Sequence, residues 1–107
     1  MAKKIVYNKL VRDKIPTIIE ESGKTCETEI LSDAVYLQML DQKLDEELAE
    51  YHKDQNIEEL ADLLEVLFAV AKARGYSMEE LYQVRDEKKK TRGGFEEKIL
   101  LKSVTER

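Results

Sequence analysis

Two helical stretches carry acids that mirror one another about a single polar turn, and this arrangement constrains the fold more than any other feature of the chain. Glu47 and Glu50 lie in one stretch and Glu59 and Asp62 in the next, each stretch being otherwise built largely of Leu, Ala and Val. Residues three apart share a face of a helix, so each stretch, read as a helix, carries its two acids on one side. Positions 47 and 62 are equidistant from a point between residues 54 and 55, and so are positions 50 and 59. In an antiparallel hairpin that turns at that point, every acid faces another acid at its own level.

Four carboxylates so placed raise one another's pKa and destabilise the fold unless a cation lies between them. An all-oxygen donor set without Cys or a well-placed His suits a hard ion, Mg²⁺ or its substitute Mn²⁺, and Mg²⁺ commonly shares its coordination with substrate phosphates. The bland alternative is a pair of solvated helix faces. A more specific alternative is a capping box between Asn56 and Glu59, which accounts for Glu59 but not for Glu47, Glu50 and Asp62. A di-iron carboxylate bundle is excluded, because it needs Glu-x-x-His pairs and His52 has Ala49 three residues before it.

The 107 residues make one domain, and at this size stability can depend on oligomerisation. With 42% hydrophobic, 38% charged and 7% aromatic residues, four Gly and one Pro, the composition favours a mainly α protein. A net charge of −5 argues against a binder of nucleic-acid polymers, which carries a basic face. The single Cys26 reads as a small, buried or half-buried side chain in a reducing compartment. No window approaches the roughly 20 apolar residues of a membrane span, and the start lacks the apolar run of a signal peptide. A cytoplasmic location away from membranes is the expectation.

Along the chain, Pro16 fits the first turn of a short helix from about Ile15 to Glu21, ended by Ser22-Gly23. Ser32-Asp33 caps a long helix to about Lys53, with Tyr36, Leu37, Leu40, Leu44, Leu48 and Tyr51 as its stripe. Asp54-Gln55-Asn56 makes the turn. Asn56 caps a third helix, broad enough in its apolar stripe to be a central, heavily buried element before Gly75. Ser77 caps a fourth from Met78 to about Thr91, stopped by Gly93-Gly94. Residues 25–31 and 95–104 read as extended and are expected to pair as a minor β element. The expected architecture is a small helical bundle with that β addition.

The run Glu46-Glu47-Leu48-Ala49-Glu50 followed by Glu59-Leu60-Ala61-Asp62 resembles the Glu-Glu-x-x-Glu … Glu-x-x-Asp signature of the all-α nucleoside triphosphate pyrophosphatases, the MazG-like superfamily that includes phosphoribosyl-ATP pyrophosphohydrolase and dimeric dUTPases. Tyr7-Asn8-Lys9-Leu10-Val11-Arg12-Asp13-Lys14-Ile15-Pro16 and Arg92-Gly93-Gly94-Phe95 resemble one branch, the small house-cleaning pyrophosphatases for noncanonical nucleotides. The resemblance spans nearly the whole chain. It implies Glu47, Glu50, Glu59 and Asp62 as Mg²⁺ ligands, and Glu46 as the catalytic residue that orients the attacking water or as a ligand for a further ion. The hairpin departs from many relatives in having only the eight residues 51–58 between Glu50 and Glu59.

Such a protein would convert a nucleoside triphosphate to the monophosphate and pyrophosphate, and family members usually form dimers or higher homo-oligomers. Phosphates need cations, and Lys9, Arg12, Lys14, Lys89 and Arg92 are the candidates, the two arginines first because guanidinium matches phosphate bidentately. Lys88-Lys89-Lys90 also fits a solvated run at a helix C-terminus, and Gly93-Gly94 a simple C-cap. The alternative from another class is a non-catalytic helical module, either an interaction partner for a basic protein or a nucleotide sensor. Base and sugar stay open among dUTP, dCTP, oxidised purine nucleotides and phosphoribosyl-ATP.

Overall fold

The computed structural model describes residues 3–106, and its regular elements are four helices: α1 Ile15–Glu21, α2 Asp33–Asp54, α3 Ile57–Ala73 and α4 Met78–Arg92. Each of the three long helices starts where a short polar side chain can accept an orphan backbone N–H. Ser32 accepts from Val35 N–H at 3.4 Å, Asn56 from Glu59 N–H at 3.0 Å and Ser77 from Glu80 N–H at 3.1 Å. Helix α1 begins with Pro in its first turn and ends at Ser22, followed by Gly23 at φ 90°.

Helices α2 and α3 form the antiparallel hairpin, and their turn is tighter than the sequence reading. Asp54 remains helical, so only Gln55, in the left-handed region at φ 51°, and the N-cap Asn56 connect the two helices. At the other end Arg74 pairs with Asp41 across the hairpin at 3.5 Å. Leu40 and Ala71, the two buried side chains among the described residues, lie toward that open end. Helix α4 packs on α3 but not on α2, with Phe68 and Tyr82 edge to face at 5.9 Å. No helix among the described residues is long and apolar enough to cross a membrane.

Two expectations are corrected. No strand forms among the described residues, so the β element from residues 25–31 and 95–104 is absent. A strand exists only with a partner for its backbone groups. Here Ile30 is 96% exposed, and a turn closed by Lys98 N–H on Phe95 C=O at 3.2 Å breaks the second segment. Helix α3 is also less buried than its stripe implies: Leu60, Leu64 and Leu67 are exposed because only α2 and part of α4 pack on it.

The single chain therefore leaves much of its apolar surface uncovered. It exposes 10328 Å², whereas a compact monomer of its 12.5 kDa mass exposes about 6,200 Å². Its radius of gyration is 19.1 Å, with extents of 73 × 31 × 23 Å, against about 13 Å for a compact chain of this length.

The hairpin's register rests on its cap. Asn56→Ala is expected to cost about 1 kcal/mol and lower the melting temperature by roughly 4–8 °C, with Asn56→Ser largely restoring it. Melting curves of the three proteins check this, and no difference between Asn56 and Ala would assign the register to packing alone.

Candidate metal centre

The hairpin gathers the four mirrored acids into two groups that share Glu59 rather than into one. One oxygen each from Glu47, Glu59 and Asp62 lies within 4.8 Å of the others, and a second group of the same spread joins Glu50, Asp54 and Glu59. Glu59, in the first turn of α3, belongs to both. Glu47, Glu59 and Asp62 are half-buried, whereas Glu50 and Asp54 are exposed. The capping box forms in its first half only: Asn56 accepts from Glu59 N–H, while the Glu59 carboxylate turns to the acids.

Two residues in this constellation were missed from the sequence, and both had a signal. In sequence Asp54 reads as part of the turn, yet it follows Glu50 by four residues, the spacing of a shared helical face. Lys43 precedes Glu47 by four and Glu46 by three, and its ammonium lies 3.3 Å from Glu47 and 3.1 Å from Glu46.

The amino-terminal segment supplies further cations. Arg12 Nη2 donates to Asp62 Oδ1 at 2.6 Å, and Lys9 Nζ lies 3.3 Å from Glu46 Oε1. These two contacts tie the segment before α1 to the hairpin, since α1 itself packs on no other helix. Lys14 occupies the N-cap of α1 and pairs with none of the acids. Lys89 and Arg92 are in the last turn of α4 and make no ion pair among the described residues. Lys89 lines a shallow groove with Arg85, Gly94 and Phe95, apart from the acids. Of the five phosphate-binding candidates, the fold of one chain thus places only Lys9 and Arg12 at the cluster.

Electrostatics separates the acids into two kinds. Partial burial would raise the Glu46 carboxyl, but hydrogen bonds from Lys43 and Lys9, with their charges, more than offset it and hold the group below its ordinary value. Glu59 moves the other way: desolvation raises it first, and the charges of Asp62, Asp54, Glu50 and Glu47 add to the rise. Glu59 has no cationic partner among the described residues, and neither have Glu50 and Asp54, so this side of the cluster has no counter-charge from an ion pair. An all-oxygen set with that excess negative charge could hold a hard divalent cation, and Glu59 is the acid that both groups share. Cys26, half-buried with Sγ 3.8 Å from Pro16 C=O, takes no part.

The opposite shifts give opposite pH signatures. A carboxyl whose pKa is raised by folding binds a proton more readily in the folded state, so its ionisation destabilises the fold as pH rises from the ordinary carboxylate range through the folded pKa. Glu59→Gln is therefore expected to raise the melting temperature of the metal-free protein at neutral pH, and the gain should vanish as pH falls below the unfolded glutamate pKa. Glu46 has the reverse sign: its stabilisation is complete above the unfolded pKa and lost as pH falls through the depressed folded value, so Glu46→Gln should destabilise at neutral pH. Melting temperatures of both variants across pH 3–8 test the pair. A Glu59→Gln protein less stable than the native chain at neutral pH without metal would contradict the repulsion.

No family model matches the chain, and no solved structure matches it. The chain is 56% identical over 41 residues to an uncharacterized protein of Mycolicibacterium smegmatis, an alignment that covers 38% of this chain and 42% of that protein.

Proposed function

We propose that this protein is a Mg²⁺-dependent nucleoside triphosphate pyrophosphohydrolase that releases the monophosphate and pyrophosphate, acts in the cytoplasm on noncanonical nucleotides, and works as a homo-oligomer. One observation carries the reading: carboxylate oxygens of Glu47, Glu59 and Asp62 converge within 4.8 Å beside the guanidinium of Arg12. Convergent carboxylates next to phosphate-matching cations are what metal-assisted hydrolysis of a phosphoanhydride requires. The resemblance of the acidic signature and of both terminal motifs to the MazG-like superfamily supports it further. The uncovered apolar surface supports the oligomer.

When bound, Mg²⁺ (or Mn²⁺) would neutralise phosphate charge and acidify an attacking water. Glu47, Glu50, Glu59 and Asp62 would hold it. Arg12 is engaged with Asp62 through an exposed ion pair, a contact worth only about 0–1 kcal/mol, so a phosphate can take the guanidinium over at little cost. Lys9 would meet the phosphates beside it. Glu46, kept ionised by Lys43 and Lys9, is a poor proton acceptor and suits orienting the water. Lys14, Lys89 and Arg92 would reach phosphate only by rearrangement or from a neighbouring copy.

The second reading, a non-catalytic interaction or nucleotide-sensing module, is favoured by one observation: Arg12 and Lys43 already pair with two of the acids. Pyrophosphate release from a panel of standard and damaged nucleotides, with and without Mg²⁺, separates the two. The expected result is Mg²⁺-dependent pyrophosphate release that falls by about a hundredfold or more in Asp62→Asn, with Arg12→Lys raising KM more than it lowers kcat. No release from any nucleotide, together with melting temperatures of native and Asp62→Asn proteins that ignore Mg²⁺, would leave the interaction module as the better account.

A further inference from the structure

We infer that residues 95–104 are an exchange arm that docks on the bare apolar stripe of α3 in a second copy of this chain. The inference rests on the homo-oligomer part of the proposed function and is independent of the hydrolase part.

The arm is apolar without a surface to cover it. Phe95 is 98% exposed, and Ile99, Leu100, Leu101 and Val104 are nearly as open. In extended backbone Ile99 and Leu101 face one way and Leu100 the other, so the segment is apolar on both sides, the pattern of a strand enclosed from both faces. Its own chain offers no such enclosure. Gly93, at φ 83°, follows the end of α4, and the surface beside Gly94 and Phe95 is charged, formed by Arg85 and Lys89 of α4 with Glu96.

The matching surface is on α3. Ile57, Leu60, Leu64 and Leu67 recur at steps of three and four residues, one face of a helix, and all four are exposed. The same face ends at Ala71, which is buried, near the point where Phe68 meets Tyr82 of α4. The stripe is thus bare where α4 leaves it. Spacings agree as well: strand residues two apart, such as Ile99 and Leu101, are separated by about 6.6 Å, and helix residues four apart, such as Leu60 and Leu64, by about 6 Å.

The area argues for a second copy as the occupant. The 10328 Å² exposed exceeds the compact-monomer value by about 4,000 Å², several times the roughly 800 Å² per partner of a standard interface. A single small ligand cannot cover that. Reciprocal exchange of two arms covers both unpartnered surfaces of both chains with one symmetric contact.

Two measurements on the full chain test the arm. Light scattering over a dilution series is expected to show an oligomer whose dissociation constant rises at least tenfold in the Ile99→Asp/Leu101→Asp double variant and in Leu64→Asp. Ile99 and Leu101 lie outside the helices and are highly exposed, so the far-ultraviolet circular dichroism of the arm variant should match the native spectrum. In a mixture of ¹⁵N-labelled and unlabelled chains, a lysine-reactive cross-linker should join Lys98 or Lys102 of one copy to Lys53 or Lys72 of a differently labelled copy, the lysines that bracket the stripe in sequence. An oligomer whose dilution curve ignores the arm variant, or arm cross-links confined to one chain, would overturn the exchange arm while leaving oligomerisation in place. A monomer at all concentrations would overturn both, and the pyrophosphate assay would still decide the hydrolase reading on its own.

Discussion

The register of the α2–α3 hairpin governs the rest of the molecule. With two connecting residues, Gln55 in the left-handed region and Asn56 as a cap, the helices have no slack to slide. One helical position of slip rotates a side chain by about 100°, which would carry Glu59 and Asp62 away from Glu47 and Glu50 together. The cap hydrogen bond to Glu59 N–H therefore fixes both the start of α3 and the backbone of the acid that both carboxylate groups share. A fold-stabilising contact and a site-building contact meet in the same residue.

That economy has a destabilising side. The acids that converge at the turn end repel, and desolvation followed by the charges of its acidic neighbours pushes Glu59 up, while the hairpin's two buried side chains lie toward the other end. Burial and repulsion are thus separated along the hairpin. Lys43 supplies counter-charge from within α2, and Arg12 and Lys9 supply it from outside. The pairs of Arg12 and Lys9 are exposed and contribute little each, and a divalent cation bound there would bring a more concentrated charge.

Local signals were legible in the sequence, and signals that depend on distant partners were not. Ser32, Asn56 and Ser77 announced three helix starts, because a cap is decided within four residues. The symmetry of 47 with 62 and of 50 with 59 was legible for a related reason: a tight hairpin turns a long-range contact into arithmetic on the sequence. Asp54 is not legible as a site residue because its local sequence reads as a turn, whereas the helix runs through it. Residues 25–31 and 95–104 failed as strands because alternation describes a capacity to pair, and no pairing partner lies beside either segment in one chain. Lys89 and Arg92 failed to join the acids for a geometric reason, since α4 packs on α3 without reaching α2.

Arg12 links these threads. Its guanidinium holds the amino-terminal segment on the hairpin through Asp62, and Asp62 belongs to the half-buried carboxylate group. A cation bound between Glu47, Glu59 and Asp62 would compete directly with Arg12 for the same carboxylate, because positive charges gathered on one anion repel. Filling the centre would thus loosen Arg12 at the moment a phosphate anion arrived to accept it. Lys9 would feel less of this competition, since Glu46 stands outside both carboxylate groups and could keep the segment attached while Arg12 changed partner. On the proposed function the two contacts would therefore be unequal, with Arg12 giving up its carboxylate before Lys9 does.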